Sequence, residues 1–324
     1  MNKSYKRICN VDVKIYNRDK DILNKNGIYI DFSGDNISNC KAMIIGPSDT
    51  PYAHGFLFFD IKFPLLYPFE PPIVQYVSNS SIRMHPNLYV NGKVCLSILH
   101  TWVGPGWCST MNVISLLVTI QSLLTTNPIE HEPHYENETG EISKKYISLI
   151  KYETLQSLII KRYMYIRPDL YEFKKHMIKH ILINNDNILN NINKLAPQDK
   201  ITIISKIYGD SVYMDYKYIK KKYNDMLKDI ITLNNELKIL EDDNMPVNMP
   251  VNMPVNMPVN MPVNKPCKSS QSTIKKIYTR KCPNKPAKYY DLSHIMVSEN
   301  DGKQYIVIQY TLKNGNELKK WIKV

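Results

Sequence analysis

Hydrophobic positions along the chain follow two periods. Leu57, Phe59, Ile61 and Phe63 recur at every second residue, the spacing that places side chains on one face of a β-strand. Ile28-Tyr29-Ile30-Asp31-Phe32, Lys41-Ala42-Met43-Ile44-Ile45 and Ile73-Val74-Gln75-Tyr76-Val77 are further short β-prone runs bounded by turn residues. Short connections such as Gly46-Pro47-Ser48-Asp49 favour an antiparallel meander, because parallel strands need long crossovers. A short helix is expected before the first strand. Between the third and fourth strands, the four prolines in Phe63-Pro64-Leu65-Leu66-Tyr67-Pro68-Phe69-Glu70-Pro71-Pro72 fix φ and remove four amide donors. The result is a stiff loop that can present Phe69 as a rigid apolar knob.

The second period is helical. Residues 111–126 are apolar nearly all round, which predicts a buried helix, and helical stretches follow at about 142–165 and 168–183, with Pro168 suited to a first turn. Ile219, Tyr223, Met226, Ile230, Leu233, Leu237 and Leu240 step by four and three in turn, a heptad seam over 216–241. That seam fits a helix packed on its own domain as well as a coiled-coil partner. Strands followed by helices make the fold class α+β, a four-stranded antiparallel meander with flanking helices.

Residues 244–263 are five copies of Asn-Met-Pro-Val, whose regular proline forbids a helix, so 244–264 reads as an extended linker. Beyond it, Tyr305-Ile306-Val307-Ile308-Gln309-Tyr310 alternates and an Asn314-Gly315 turn precedes Trp321, which predicts a small β-rich module. The expected organisation is a folded domain over 1–185, a helical extension over 186–243, the linker, and a basic module over 265–324. Of the formal net charge of +12, residues 265–324 contribute +9. No basic-aromatic motif accompanies that charge, so nucleic acid is not an expected partner. No apolar run approaches membrane-spanning length, and the first residues show no secretory signal, so a cytoplasmic or nuclear location is expected and no membrane partner. Lys outnumbers Arg 36 to 6 alongside abundant Asn and Ile, the bias of an AT-rich genome, compatible with a large DNA virus acting in a host cell.

Cys9, Cys40, Cys95, Cys108, Cys267 and Cys282 form no Cys-x-x-Cys pair and no zinc spacing, so thiols are expected and no metal site. The block that carries chemistry is His85-Pro86-Asn87-Leu88-Tyr89-Val90-Asn91-Gly92-Lys93-Val94-Cys95-Leu96. Cys95 alone could be a buried small hydrophobe. A papain-like reading, which His85 invites, lacks the Cys-Gly-x-Cys-Trp helix start.

Taken with its surroundings, this block resembles the ubiquitin-conjugating enzyme family. The likeness joins His-Pro-Asn, a cysteine eight residues after that Asn, the upstream Tyr-Pro-Phe-Glu-Pro-Pro loop, and Gly46-Pro47 with Thr50-Pro51-Tyr52 and Gly55, and it covers about residues 3–135. It is closest to the large enzymes that combine conjugating and ligase activity. Their Thr-Trp-x-Gly-Pro-Gly-Trp loop reads Thr101-Trp102-Val103-Gly104-Pro105-Gly106-Trp107 here, and a later segment reads His131-Glu132-Pro133-His134-Tyr135-Glu136. The resemblance implies a UBC-like fold and a transferase that accepts ubiquitin from an activating enzyme as a thioester on Cys95 and passes it to a protein lysine. No cofactor would be bound, since ATP is used by the activating enzyme.

The same resemblance implies roles for further residues. Asn87 would supply or position an oxyanion donor, or shape its loop; Glu132, with Glu130 and His131 beside it, is the candidate acid at the lysine gate; His85 and Pro86 would be structural. Lys6 and Arg7 would meet the activating enzyme, and Phe69 and Ser109 a ligase. Two departures stand out: Trp107-Cys108-Ser109 replaces the family's Trp-Ser-Pro, and Ser97 stands where many relatives carry Asp. The first puts standard ligase partners in doubt and the second could alter acceptor choice. Cys108 reads as packing, with a second reactive thiol as the alternative. The rival functions are a non-catalytic binding module of the ubiquitin pathway and a carrier of a different ubiquitin-like modifier.

Overall fold

The computed structural model describes residues 3–32, 36–195 and 200–237, and three strands near the C-terminus. The chain divides into two compact units, Met1–Leu240 and Glu241–Val324. The first opens with helix α1 (Lys3–Arg7), a π turn (Ile8–Val13) and helix α2 (Lys14–Lys25), a longer helical run than expected. Its inner side buries Ile8, Tyr16 and Leu23, and the Tyr16 hydroxyl accepts a hydrogen bond from the Ile30 amide at 3.0 Å, fixing the helix to the first strand.

The expected meander follows as β1 (Ile28–Asp31), β2 (Asn39–Ile45), β3 (Phe56–Lys62) and β4 (Ile73–Val77), in the order β1-β2-β3-β4 and antiparallel throughout. The register sets Ala42 opposite Phe59 and Phe59 opposite Tyr76, so Leu57, Phe59 and Ile61 share a face as predicted. The alternation suggests one buried face; the structure buries both. Phe56 and Phe58, on the other face, are fully covered. The cover comes from later in the chain. Phe173 lies 5.4 Å from Phe58 between ring centroids, the Arg162 guanidinium sits 5.1 Å over the Phe58 ring, and His180 meets Phe56 edge-on. On the two central strands Arg167 grips Asp60 through both carboxylate oxygens, with Lys41 joining Asp60 and Asp169.

Helix α3 (Val113–Ser122) starts with a capping box at Asn112 and Ser115, and buries Val113, Leu116, Leu117 and Ile120. It is shorter than predicted and has a solvent side, since Val118 is exposed. A long helical run follows: α4 (Glu141–Glu153), a π turn (Thr154–Lys161) and α5 (Arg162–Met164). After a 3-10 segment (Pro168–Phe173) come α6 (Lys174–Ile183) and α7 (Asn185–Leu195).

The extension is not helical throughout. Strands β5 (Ile201–Ile204) and β6 (Ser211–Met214) form an antiparallel hairpin ahead of α8 (Tyr216–Leu237). The heptad seam faces inward: Ile219, Tyr223, Met226 and Ile230 are buried in the same core, with α8 packed on α6, α7 and the π turn. At about 1.5–3 kcal/mol for each large apolar side chain removed from water, those four residues join α8 firmly to its own unit. In the second unit β7 (Ile295–Val297), β8 (Gln304–Thr311) and β9 (Glu317–Lys323) form an antiparallel meander, in line with the expected β-rich module. The Asn-Met-Pro-Val linker, the Asn314-Gly315 turn, Leu240, Cys267 and Cys282 lie outside the described residues. No described helix is long and apolar enough to cross a membrane.

Candidate functional site

Residues 83–101 form a loop docked against β4. Gly92 makes the docking possible: its φ is +90°, and a Cβ there would meet Gln75 Cγ at 2.7 Å and the Tyr76 carbonyl at 3.0 Å. The Tyr76 amide donates to the Gly92 carbonyl at 2.8 Å, and Leu88 and Val94 anchor the loop in the core. The expected block therefore folds as a tight doubling-back that brings Asn87 against Cys95.

Asn87 holds the Cys95 backbone on both sides. Its carbonyl accepts from the Cys95 amide at 2.9 Å, and its Nδ2 donates to the Cys95 carbonyl at 2.6 Å. Thr101 makes a second clamp, accepting from the Leu96 amide at 2.9 Å and donating to the Val94 carbonyl at 2.7 Å. The Cys95 thiol donates to the Thr101 carbonyl at 3.2 Å. Thr101 belongs to the quoted Thr-Trp motif, yet its role as a clamp was visible only once the loop closed on itself.

His85 is fully buried with both ring nitrogens engaged: Nε2 donates to the Leu123 carbonyl at 2.9 Å and Nδ1 accepts from the Asn87 amide at 2.9 Å. Burial, with His131 nearby, pushes its pKa down to about 3, so the ring is neutral. A neutral ring with both nitrogens bonded cannot serve Cys95 as a base. Pro86 is buried beside it, and Tyr52 of the Thr-Pro-Tyr loop donates to the Met84 carbonyl at 2.8 Å.

Burial raises the Cys95 pKa, Lys93 and Arg83 pull it down, and Glu132 pushes it up again. The thiol is thus no preformed thiolate. Arg83 was not singled out from the sequence. Its guanidinium stacks over Tyr89 at 3.7 Å and Tyr208 at 4.5 Å, and donates to the Pro86 carbonyl. One signal was available: in a chain so poor in arginine, an Arg two residues before His85 suggests a need for a planar, stacking cation.

Glu132 ends a 3-10 turn (Pro128–His131) and points toward Arg83, whose Nη2 is 3.9 Å from its Oε2. The same Oε2 accepts a hydrogen bond from the Tyr208 hydroxyl. Glu130 instead faces His131 at 3.8 Å, and His131 packs on His85 with ring centroids 5.1 Å apart. Tyr208 sits in the β5–β6 turn, a segment read from the sequence as helical extension. The Gly209-Asp210 pair between two β-prone runs was the signal that could have revealed the hairpin.

The residues assigned to partners lie elsewhere. Phe69 is 75 % exposed on the proline loop, with Leu65 and Leu66 exposed beside it. Trp107 braces that loop, donating from Nε1 to the Pro68 carbonyl at 2.7 Å, and Ser109 is exposed just beyond. Lys6 is exposed, whereas Arg7 turns inward, donating to the Met111 carbonyl at 2.8 Å and lying 3.8 Å from the buried Asp12. Cys108 is exposed rather than packed, and its hydrogen bonds to Thr110 lower its pKa.

Comparison with known proteins fits this geometry. Residues 14–153 match the family profile described as ubiquitin-conjugating enzyme. The chain is 42 % identical over 134 residues to ubiquitin-conjugating enzyme E2 Z of Xenopus tropicalis, covering 40 % of this chain and 42 % of that protein. Against E2 Z of Homo sapiens it is 45 % identical over 124 residues, covering 37 % of this chain and 35 % of the relative. A human dual E2 ubiquitin-conjugating enzyme/E3 ubiquitin-protein ligase is 38 % identical over 161 residues, 46 % of this chain and 3 % of that protein. The chain thus spans less than half the length of these curated relatives.

Proposed function

We propose that this chain, whose residues 14–153 match the ubiquitin-conjugating enzyme profile, carries ubiquitin as a thioester on Cys95 and passes it to a lysine amine. The observation that carries the proposal is the double clamp on Cys95 by Asn87 and Thr101, which holds one thiol in a fixed loop with no histidine base. That is the environment an exchange reaction needs. The Cys95 thiolate attacks the thioester carbonyl of the charged activating enzyme, and that enzyme's thiolate leaves. One thioester replaces another, so the step consumes no ATP here; ATP is used by the activating enzyme.

Sulfur is nucleophilic enough to exchange from a small thiolate fraction. In the second step a deprotonated lysine amine attacks the same carbonyl, a tetrahedral oxyanion forms, and Cys95 thiolate leaves as the isopeptide bond closes. Asn87 braces the loop and supplies or positions a donor for that oxyanion. A lysine side chain has a reference pKa near about 10.4, so it must be desolvated or lose its proton before attack. Glu132 is the candidate group to receive the ammonium. The activating enzyme would engage the N-terminal helix through Lys6, and a ligase the exposed surface around Phe69 and Ser109.

Charging tests the proposal. With activating enzyme, ubiquitin and ATP, the wild-type chain should form a reductant-sensitive adduct, Cys95→Ala none, and Cys95→Ser a reductant-resistant one. An uncharged wild-type chain, beside a control enzyme that charges, would defeat ubiquitin transfer and leave a binding module or a different modifier.

A further inference from the structure

We infer that Tyr208 is a positioning residue for the acceptor side of the site: the β5–β6 hairpin brings its hydroxyl to Glu132 and its ring to Arg83, fixing the carboxylate that receives an incoming lysine. The inference rests on the conjugating function proposed above and adds a second part of the chain to it.

Three contacts tie the hairpin turn to the site. The Tyr208 hydroxyl donates to Glu132 Oε2. Its ring lies under the Arg83 guanidinium at 4.5 Å and meets Tyr146 in a T-shaped contact at 5.8 Å. The Arg83 amide is 3.4 Å from Asp210 Oδ2, while Tyr146 donates to the Arg83 carbonyl at 3.0 Å. The turn is itself closed, with the Ser205 amide donating to the Asp210 carbonyl at 2.7 Å and the Gly209 amide to the Ser205 carbonyl at 3.0 Å. Tyr208 is therefore held from both directions.

The chemistry favours positioning over incidental packing. Burial and the carboxylate beside it push the Tyr208 pKa upward, so the phenol stays protonated and acts on Glu132 as a donor. At 3.9 Å the Arg83 guanidinium is too far from Glu132 for a hydrogen bond, so the phenol is what fixes the carboxylate's direction. Both contacts fall on Oε2; among the described residues no hydrogen bond reaches Oε1, which leaves that oxygen for an ammonium. Arg83 also donates to the Pro86 carbonyl, next to the Asn87 that holds Cys95, so the Tyr208 contacts reach the loop that carries the thiol.

The test separates the two steps of the reaction in the full chain. Tyr208→Phe keeps the ring between Arg83 and Tyr146 and removes only the hydroxyl. It should charge from activating enzyme at the wild-type rate and lose ubiquitin to a small thiol such as dithiothreitol at the wild-type rate. Discharge to free lysine should fall by about tenfold, the factor carried by one hydrogen bond to a charged group. In a Glu132→Gln background, which is itself slow with lysine, adding Tyr208→Phe should change the rate by less than about twofold, because the two residues act as one unit. The inference is overturned if lysine discharge is unchanged, if thiol discharge slows equally, or if the two variants multiply. Failure of the wild-type chain to charge is read before any variant and tells against the conjugating function instead.

Discussion

The thiol side and the acceptor side of this site differ in how much chain builds them. Around Cys95 the clamps come from Asn87 and Thr101, eight residues before and six after it, and the loop rests on β4 and the end of α3. Around Glu132 the principal hydrogen bond comes from Tyr208, 76 residues away and beyond six further helical segments. The Cys95 thiol is therefore held by one local loop, whereas the Glu132 carboxylate is held by a residue of the extension. Under the proposed function, accepting ubiquitin and choosing where it goes would be alterable separately.

The largest effect that bears on this contrast is at Asn87. Asn87→Ala keeps the backbone bond to the Cys95 amide but removes the Nδ2 donor to the Cys95 carbonyl, so it should slow charging and lysine discharge together, by about a hundredfold, the scale of losing one oxyanion donor. Rates of both half-reactions, measured separately, check it. A variant that charges normally and fails only with lysine would place Asn87 on the acceptor side and break the comparison.

The contrast also explains what could be read from the sequence. The four strands, the proline loop and the His85–Cys95 block announce themselves through alternation, proline and fixed local offsets, so the meander and the thiol side were legible. The covered second face of the sheet was not, because it is made by Phe173, Arg162 and His180, whose period points inward without saying onto what. The seam of α8 predicted an inward face, and tertiary packing chose its own unit over a partner helix. Glu132 was found as a candidate, but its partner Tyr208 was hidden in a stretch read as helix, where two short β runs and a Gly-Asp turn were overlooked. Contacts between residues far apart in sequence leave no local pattern to find.

A smaller effect concerns acid. The buried His85 has its pKa pushed down to about 3, against about 6.5 when unfolded. The unfolded chain binds the extra proton in that window, so stability rises with pH there: it is full above about 6.5 and is lost as pH falls toward the folded value. At pH 5 the loss should be about 2 kcal/mol from this ring. Denaturant unfolding at pH 7 and pH 5 measures it, and in His85→Asn that contribution to the pH slope should vanish. An unchanged slope would assign the acid sensitivity to another buried histidine, such as His180 of α6, which burial depresses in the same direction.

The smallest effect sharpens the acceptor side. Gly209 follows Tyr208 in the hairpin turn with φ at +72°, and a Cβ built there meets nothing within 4 Å. Gly209→Ala therefore costs backbone strain alone, about 1–2 kcal/mol for an L-residue held in the left-handed region. Asn tolerates that region better, so Gly209→Asn should recover part of the loss. If Tyr208 works by being held in place, relaxation of the turn should tilt its hydroxyl and lower lysine discharge by about twofold, less than the tenfold expected when the hydroxyl is removed. Charging should not move, because no hydrogen bond that clamps Cys95 comes from the hairpin. Thermal unfolding reports the strain and single-turnover discharge reports the tilt. A loss of stability without any change in lysine discharge would mean that the hairpin supports the fold but does not aim Glu132.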